Sequence, residues 1–138
     1  MKGLYIFLSG FFCLFYSTAH ANETVPPDNT DNIICHKEDD PDEMVFVQSC
    51  QYKNMGLLQA YALYLSKVMP DSQKDFIKNP QPGQSKHIKD LGNAMFVDYK
   101  WQGVNDLSID QAYEGGETKI TFKYNGKDTA VITTSYPD

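Results

Sequence analysis

The spacing of the apolar residues changes at Gly92, and this change limits the possible folds more than any other feature of the sequence. Before it, Met55–Met69 is rich in Leu, Ala and Tyr at three- and four-residue spacings, which predicts an amphipathic helix. After it, apolar and polar residues alternate in Met95–Trp101 and Glu117–Tyr124, as in strands with one buried face. A helix followed by alternating strands predicts an α+β domain.

The helical half has clear boundary signals. Asn54 is expected to cap the long helix, and Pro70 to end it, because proline disfavours helical geometry in the residue before it. A shorter helix is predicted at Asp71–Lys78. The Pro- and Gly-rich segment Asn79–Gln84 predicts a loop, and Ser85–Leu91 is expected to form one or two helical turns.

Three further segments complete the predicted sheet. They are Met44–Val47, a weaker strand at Val104–Ile109, and Thr129–Tyr136 after the turn at Asn125-Gly126. The predicted fold class is α+β: one long helix and short helices packed on an antiparallel sheet of about four strands, with one disulfide. Cystatin-like and NTF2-like folds have a similar layout, an analogy of architecture only.

The register of the last hairpin depends on its turn. A two-residue turn places Val131 on the face of Ile120, whereas a three-residue turn with a glycine bulge places Ala130 and Ile132 there. The second register gives the more apolar face, so we expect it.

The first residues have the pattern of a secretory signal peptide. A lysine precedes the apolar run Leu4–Phe15, and Ala19 and Ala21 supply the small side chains that signal peptidase requires. The run is shorter than the roughly 20 residues of a membrane-spanning helix. We therefore expect residues 1–21 to be cleaved, and the product to be periplasmic or secreted, with no membrane attachment.

Cleavage would leave a polar leader, residues 22–34, and a single α+β domain, residues 35–138. It would also leave an even number of cysteines, Cys35 and Cys50, in an oxidising compartment. These two are expected to form a disulfide rather than a thiol nucleophile or a metal site.

The charge balance excludes one class of partner. The chain has a formal net charge of −6 and contains no arginine, and its densest charge run, Glu38–Glu43, is acidic. Nucleic-acid binding uses clustered Lys and Arg, so none is expected. The acidic run lacks the ligand spacing and glycine of an EF-hand loop, and no metal or cofactor is predicted.

Residues suited to catalysis are few. His36 lies in the acidic segment, and His87 follows the Pro/Gly loop, with Ser85 or Ser108 as conceivable partners. Neither histidine belongs to a recognisable motif, and catalytic triads are identified by geometry rather than by sequence position. No catalytic residue is predicted, and the chain is not expected to be an enzyme.

The leading functional hypothesis is an inhibitor of another protein. Hydrolases that act on anionic cell walls are often cationic around their clefts, so an acidic domain with stiff loops could be steered to such a cleft and block it. The sequence therefore predicts an immunity protein that neutralises a cell-wall-degrading toxin or hydrolase. The candidate contacts are Glu38, Asp39, Asp40, Asp42 and Glu43 in the acidic run, and Pro80, Gln81, Pro82, Gln84 and His87 in and after the loop.

The alternative hypothesis is an exported module of cystatin/NTF2-like architecture that binds a small molecule or glycan between helix and sheet. Tyr61, Tyr64, Tyr99 and Trp101 would then line the site. The sequence leaves the oligomeric state open, a homodimer included.

Overall fold

The computed structural model describes residues 32–40 and 44–138. Within them the chain forms seven strands and two short helices. In chain order these are β1 (Ile33–Asp40), β2 (Val45–Tyr52), α1 (Leu57–Lys67), α2 (Pro70–Gln73), β3 (Lys86–Leu91), β4 (Ala94–Gln102), β5 (Asp106–Tyr113), β6 (Gly116–Tyr124) and β7 (Thr129–Pro137).

All seven strands belong to one antiparallel sheet, in the order β1-β2-β7-β6-β5-β4-β3. The β1–β2 hairpin and the meander from β3 to β7 join where β2 pairs with β7. The predicted fold class is therefore wrong: a seven-stranded sheet with two short helices replaces one long helix on about four strands. Sequence reasoning missed both edge strands, β1 and β3.

Strand β3 corrects the helical turns predicted for Ser85–Leu91. Its apolar residues pair with those of β4, Ile88 opposite Val97 and Leu91 opposite Ala94. As an edge strand it has one neighbour and exposes most of its other residues. Such a strand has too few apolar residues for its alternation to stand out in the sequence.

Both helices are shorter than predicted. Helix α1 begins after Gly56, and Asn54 does not cap it, because Asn54 lies in the preceding turn with φ of 53°. Pro70 is the first residue of α2 rather than only a stop signal. Proline at this position lacks only an amide hydrogen that a helix start would leave unbonded.

The core lies between α1 and the face of the sheet that we call the inner face; the other is the outer face. Tyr61 and Tyr64 of α1 each place a ring 5.5 Å from that of Phe122 on β6. Burying each such apolar side chain contributes about 1.5–3 kcal/mol. The other core residues include Tyr52, Met55, Leu57, Ala60, Phe76, Ala94, Val97, Tyr99, Leu107, Ile109, Ile120 and Val131.

The last hairpin differs from the expected register and buries Val131, on the face of Ile120, rather than Ala130 and Ile132. Phe122 pairs with Val131, so Val131 is buried on the inner face and Ile132 is exposed on the outer face. The connection 125–128 contains an even number of residues, which preserves the parity of a two-residue turn. Asn125 closes it, because its side-chain oxygen accepts hydrogen bonds from the amides of Lys127 and Asp128.

The predicted disulfide is confirmed. Cys35 and Cys50 are bonded and lie directly opposite each other in the β1–β2 pair. Their sequence separation of 15 residues corresponds to a stabilisation of about 3 kcal/mol in the chain-entropy description. The predicted signal segment 1–21 and leader residues 22–31 lie outside the described residues, whereas Ile33 and Ile34 belong to β1.

Candidate functional site

The acidic run lies at one end of the sheet. Glu38, Asp39 and Asp40 are the last residues of β1, and Asp40 is paired with Val45 at the start of β2. Asp42 and Glu43 lie outside the described residues, in the segment that joins these strands. The β1–β2 hairpin therefore places part of the predicted contact region at one end of the sheet, along its β1 edge.

The same end collects carboxylates from distant parts of the sequence. In an antiparallel sheet every second connection falls at the same end, so the turns β1–β2, β3–β4 and β5–β6 and the chain terminus all lie along that end, spread from one edge of the sheet to the other. Helix α2 joins them, since the side chain of Asn93 donates a hydrogen bond to the carbonyl oxygen of Asp71. We call this region the acid end; its acidic residues are Glu38, Asp39, Asp40, Asp71, Asp90, Glu114, Glu117 and Asp138.

The opposite end of the sheet, which we call the paired end, contains the turns 53–56, 103–105 and 125–128. Asp128 lies 3.2 Å from the Lys53 ammonium, and Asp106 lies 3.7 Å from Lys123. Asp128 also accepts a 2.8 Å hydrogen bond from the backbone amide of Asn54. That bond, with the Lys53 charge, lowers the pKa of Asp128.

Ion pairing thus differs between the two ends. Among the acid-end residues whose side chains the structure describes, namely Glu38, Asp71, Asp90, Glu114, Glu117 and Asp138, none forms an ion pair; the pairs use Asp98, Asp106, Asp110 and Asp128. The exposed Lys74 and Lys89 also lie at this end, beside the β3–β4 turn, but its carboxylates outnumber them. An excess of exposed negative charge produces a negative potential that extends about a Debye length into solution.

The second predicted contact region is far from the first. Gly83 approaches the carbonyl oxygen of Gly103, which places the loop Asn79–Gln84 at the paired end beside the opposite edge of the sheet. Six strand spacings, about 29 Å, separate the two edges. Within this loop Gln81, Pro82 and Gln84 are exposed, but Pro80 is buried. The structure therefore does not bring the two regions together.

His87 lies on the outer face of β3. Its Nδ1 is 2.7 Å from a carboxylate oxygen of Asp98, and its ring lies 5.8 Å from that of Phe96. Neither sequence candidate for a nucleophile is its partner: the Ser85 hydroxyl accepts a hydrogen bond from the amide of Trp101, and Ser108 lies two strands away on β5. The His87–Asp98 pair is thus a polar contact between neighbouring strands on the outer face.

A shallow hollow of about 440 Å³ connects this face with the acid end. Phe96, Ala112, Glu117 and Tyr136 form one cross-strand row, in which the small Ala112 separates two exposed aromatic rings. The remaining side chains around the hollow include Asp98, Lys100, Asp110 and Lys119. Sequence reasoning missed it, because the row joins residues of four separate strands.

The tyrosines expected to line a ligand site are mainly core residues. Tyr61 and Tyr99 are each 1% exposed, and their hydroxyls are 3.0 Å apart. The amide of Ile77 donates a hydrogen bond to the Tyr99 hydroxyl, and the Tyr61 hydroxyl donates one to the Ile77 carbonyl oxygen. These bonds satisfy the buried hydroxyls, while burial raises the pKa of both tyrosines.

Two further observations bear on cellular context and chemistry. The disulfide is typical of a protein in an oxidising, extracellular compartment. Neither helix among the described residues is long and apolar enough to cross a membrane. Within residues 32–40 and 44–138, no cluster of His, Cys, Asp and Glu side chains is arranged to hold a metal ion.

Comparisons with known proteins assign no family. No family model and no curated protein matches the sequence. Among solved structures, CalU16 from Micromonospora echinospora is similar at 15% sequence identity, with a TM-score of 0.33. The match covers 75% of this chain and 66% of CalU16. A similarity this low supports no functional conclusion.

Proposed function

We propose that this chain is an exported inhibitor, an immunity protein that binds a cationic cell-wall-degrading toxin or hydrolase and covers its active site. The observation that supports this proposal is the acid end. Its carboxylates come from several turns, and those of Glu38, Asp71, Asp90, Glu114, Glu117 and Asp138 are exposed and form no ion pair with a described side chain.

Electrostatics favour a cationic partner for this surface. Bringing like charges together costs free energy in the isolated protein, and a surface of opposite sign relieves that cost on binding. Long-range attraction also raises the rate of association, which is important for a protein that must intercept a toxin before it reaches the wall. The periplasm, or the outside of the cell, is the compartment in which such a toxin acts.

The outer-face hollow provides a place for an anchoring side chain of the partner. It adjoins the acid end at Glu117, and Phe96 and Tyr136 flank it. Binding energy in protein interfaces concentrates where one side chain fills a pocket, and aromatic rings contribute strongly at such positions. Asp98 and Asp110 are already paired with His87 and Lys100, so a lysine or arginine of the partner would contact Glu117 and the aromatic rings of this hollow.

The proposal is tested by titrating purified cationic peptidoglycan hydrolases with the mature protein, including any secreted hydrolase encoded by the adjacent gene. Tight binding should accompany loss of hydrolase activity, and both should weaken as salt increases. The triple variant Asp39→Asn, Asp40→Asn and Asp42→Asn should weaken binding about tenfold, since exposed ion pairs contribute up to about 1 kcal/mol each.

A matched control separates local charge from net charge. Changing Glu23→Gln, Asp28→Asn and Asp31→Asn removes the same charge from the predicted leader and should leave affinity nearly unchanged. If both triple variants bind equally well, the acid end is not the contact surface. If no hydrolase of the panel is bound and inhibited at low salt, the proposed function is wrong.

A further inference from the structure

A cavity of about 290 Å³ lies between α1 and the inner face. Helix α1 packs over β6, and the sheet continues past it through β7, β2 and β1. The last turn of the helix therefore overhangs these strands, meeting β7 where the Tyr64 hydroxyl lies 3.2 Å from that of Thr133, and the cavity occupies the remaining space. It is separate from the outer-face hollow, which lies on the other face of the sheet.

The lining of the cavity is mostly apolar. The Cys35–Cys50 disulfide and Val131 face it from the sheet, and Tyr64 and Val68 face it from the helix side. Ile33 and Tyr52 complete the apolar wall. The polar residues around it are Gln48, Lys67 and Thr133.

Two bonds keep the cavity open. The disulfide ties β1 to β2 beneath it, and the hydroxyls of Tyr64 and Thr133 lie 3.2 Å apart, within hydrogen-bonding distance. Burial raises the pKa of Tyr52 to about 12, as expected for a hydroxyl at the edge of a poorly solvated space. A site that exists before binding loses little entropy when a ligand enters it.

Two lysines lie where the cavity opens to solvent. Lys67, in the last turn of α1, lines the cavity itself. Lys37 lines a second hollow of about 240 Å³, which shares Gln48 and Thr133 with the first and extends to the half-exposed Phe46. Lys67 forms no ion pair with the side chains that the structure describes. Lys67 and Lys37 thus place positive charge beside the opening, although the protein is acidic overall.

We propose that this cavity binds a single-chain amphiphile with a carboxylate head group. At about 30 Å³ for a group the size of a water molecule, the cavity holds about ten such groups, the length of a medium alkyl chain. The chain lies against the disulfide, Val131 and Tyr52, and the carboxylate lies near Lys67 and Lys37.

The lining disfavours a sugar as the ligand. A sugar needs many hydrogen-bond partners, but Thr133 is already close to Tyr64 and the remaining wall is largely apolar. An uncharged hydrocarbon would fill the cavity but would make no use of the lysines. A carboxylate amphiphile satisfies both parts of the site.

Calorimetric titration of the mature, oxidised protein with decanoate tests the proposal, in parallel with decanol and decyltrimethylammonium. Decanoate should bind saturably with one site per chain, decanol more weakly, and the cation least. Amide shifts in an NMR titration should be largest around Cys50, Val131 and Thr133. If decanoate does not bind saturably, or if its shifts lie elsewhere, the assignment of the site is wrong.

Variants test the two parts of the site separately. Gln48→Trp places a large ring at an exposed strand position beside the cavity and should abolish binding while thermal unfolding stays cooperative. Lys67→Gln should weaken decanoate about two- to fivefold and leave decanol unchanged. The matched control Lys74→Gln, at an exposed lysine outside the cavity, should change neither.

The same variants distinguish a ligand-binding role of Lys67 from a purely structural one. A lysine in a last helical turn stabilises the helix, and its loss lowers the melting temperature of Lys67→Gln without distinguishing between ligands. Equal weakening of decanoate and decanol would contradict a role for Lys67 in carboxylate binding. Hydrolase inhibition is measured independently of this cavity, so either proposal can fail alone.

Discussion

The two ends of the sheet differ in whether their carboxylates are paired with lysines. At the paired end, Asp106 and Asp128 each lie beside a lysine, and Asp128 also accepts hydrogen bonds that hold the turns together. At the acid end, the described carboxylates have no such partners. The paired charges of the paired end stabilise the fold. Repulsion between like charges at the acid end lowers the stability of the isolated protein, and a binding function would explain why these charges are present.

The largest effect should come from the covalent link that holds the acidic hairpin in place. Reduction of the Cys35–Cys50 bond should lower the free energy of unfolding by about 3 kcal/mol, because the unfolded chain regains the freedom of the closed loop. Guanidinium unfolding with and without reductant measures this. Native-state hydrogen exchange should accelerate more in β1–β2 than in the turn 125–128.

The double variant Cys35→Ala, Cys50→Ala is the control, since its unfolding midpoint should resemble that of the reduced protein and should not respond to reductant. Equal stability of the oxidised and reduced wild-type proteins would show that the acid end does not depend on this link.

Two adjacent glycines of the acid end should differ in their tolerance of a methyl group. Gly116 has φ of 126°, and a Cβ there would lie 2.2 Å from the carbonyl oxygen of Tyr136. Gly116→Ala should therefore destabilise the protein by about 2 kcal/mol. Gly115→Ala meets nothing within 4 Å and should be nearly neutral. Thermal unfolding of the two variants, if equal, would contradict this account of the β5–β6 turn.

The paired end should account for part of the loss of stability in acid. Because the backbone bond from Asn54 and the Lys53 charge lower the pKa of Asp128, its contribution is present above the ordinary carboxyl pKa of about 4. This contribution to stability is lost as the pH falls through the lowered pKa that Asp128 has in the folded protein. Asp128→Asn should lower the melting temperature at pH 7 and flatten its decline between pH 5 and 2.

Asp106→Asn is the control for that experiment. Asp106 makes only a longer contact with Lys123, so its variant should retain most of the acid-dependent decline. An Asp128→Asn protein with the pH profile of the wild type would show that this carboxylate does not govern the stability of the paired end.

The smallest predicted effect is a change in the free energy of unfolding on removal of one carboxylate, and its sign should differ between the two ends. Glu114→Gln removes one repelling charge from the acid end and should raise the free energy of unfolding by about 0.3 kcal/mol at low salt. Asp106→Asn removes one partner of a pair and should lower it slightly. Both effects should disappear in high salt, because exposed charges are then screened. Equal signs at low salt would remove the distinction between the ends.

The alternation of apolar and polar residues was sufficient to locate β4 and β6, the turn at Asn125-Gly126 and the segment after it located β7, and the cysteine count was sufficient to predict the disulfide. The edge strands were missed because charged residues dominate them, as in His36–Asp40 of β1. One signal could have revealed β1. A disulfide between cysteines this close in sequence is compatible with a hairpin centred between them, and Met44–Val47 had already been identified as one strand.

The candidate site was predictable only in part. The acidic run was recognised from the sequence. That Asp90 and Glu114 lie at the same end of the sheet depends on which connections fall at that end. The loop Asn79–Gln84 was correctly identified as a loop, yet no local pattern could place it at the far edge. The cavity beneath α1 was also missed, because its residues come from β1, β2, α1 and β7.

The sequence by itself determined the local properties: which segments alternate, which cysteines pair and how acidic the chain is. These depend on neighbouring residues and on composition. Only the tertiary structure decided the number of strands, the face on which Val131 is buried, the gathering of carboxylates at one end and the placing of Lys37 and Lys67 beside an apolar cavity. Strand pairing joins residues that are distant along the chain, and its register is determined by turn length and by the packing of the whole sheet.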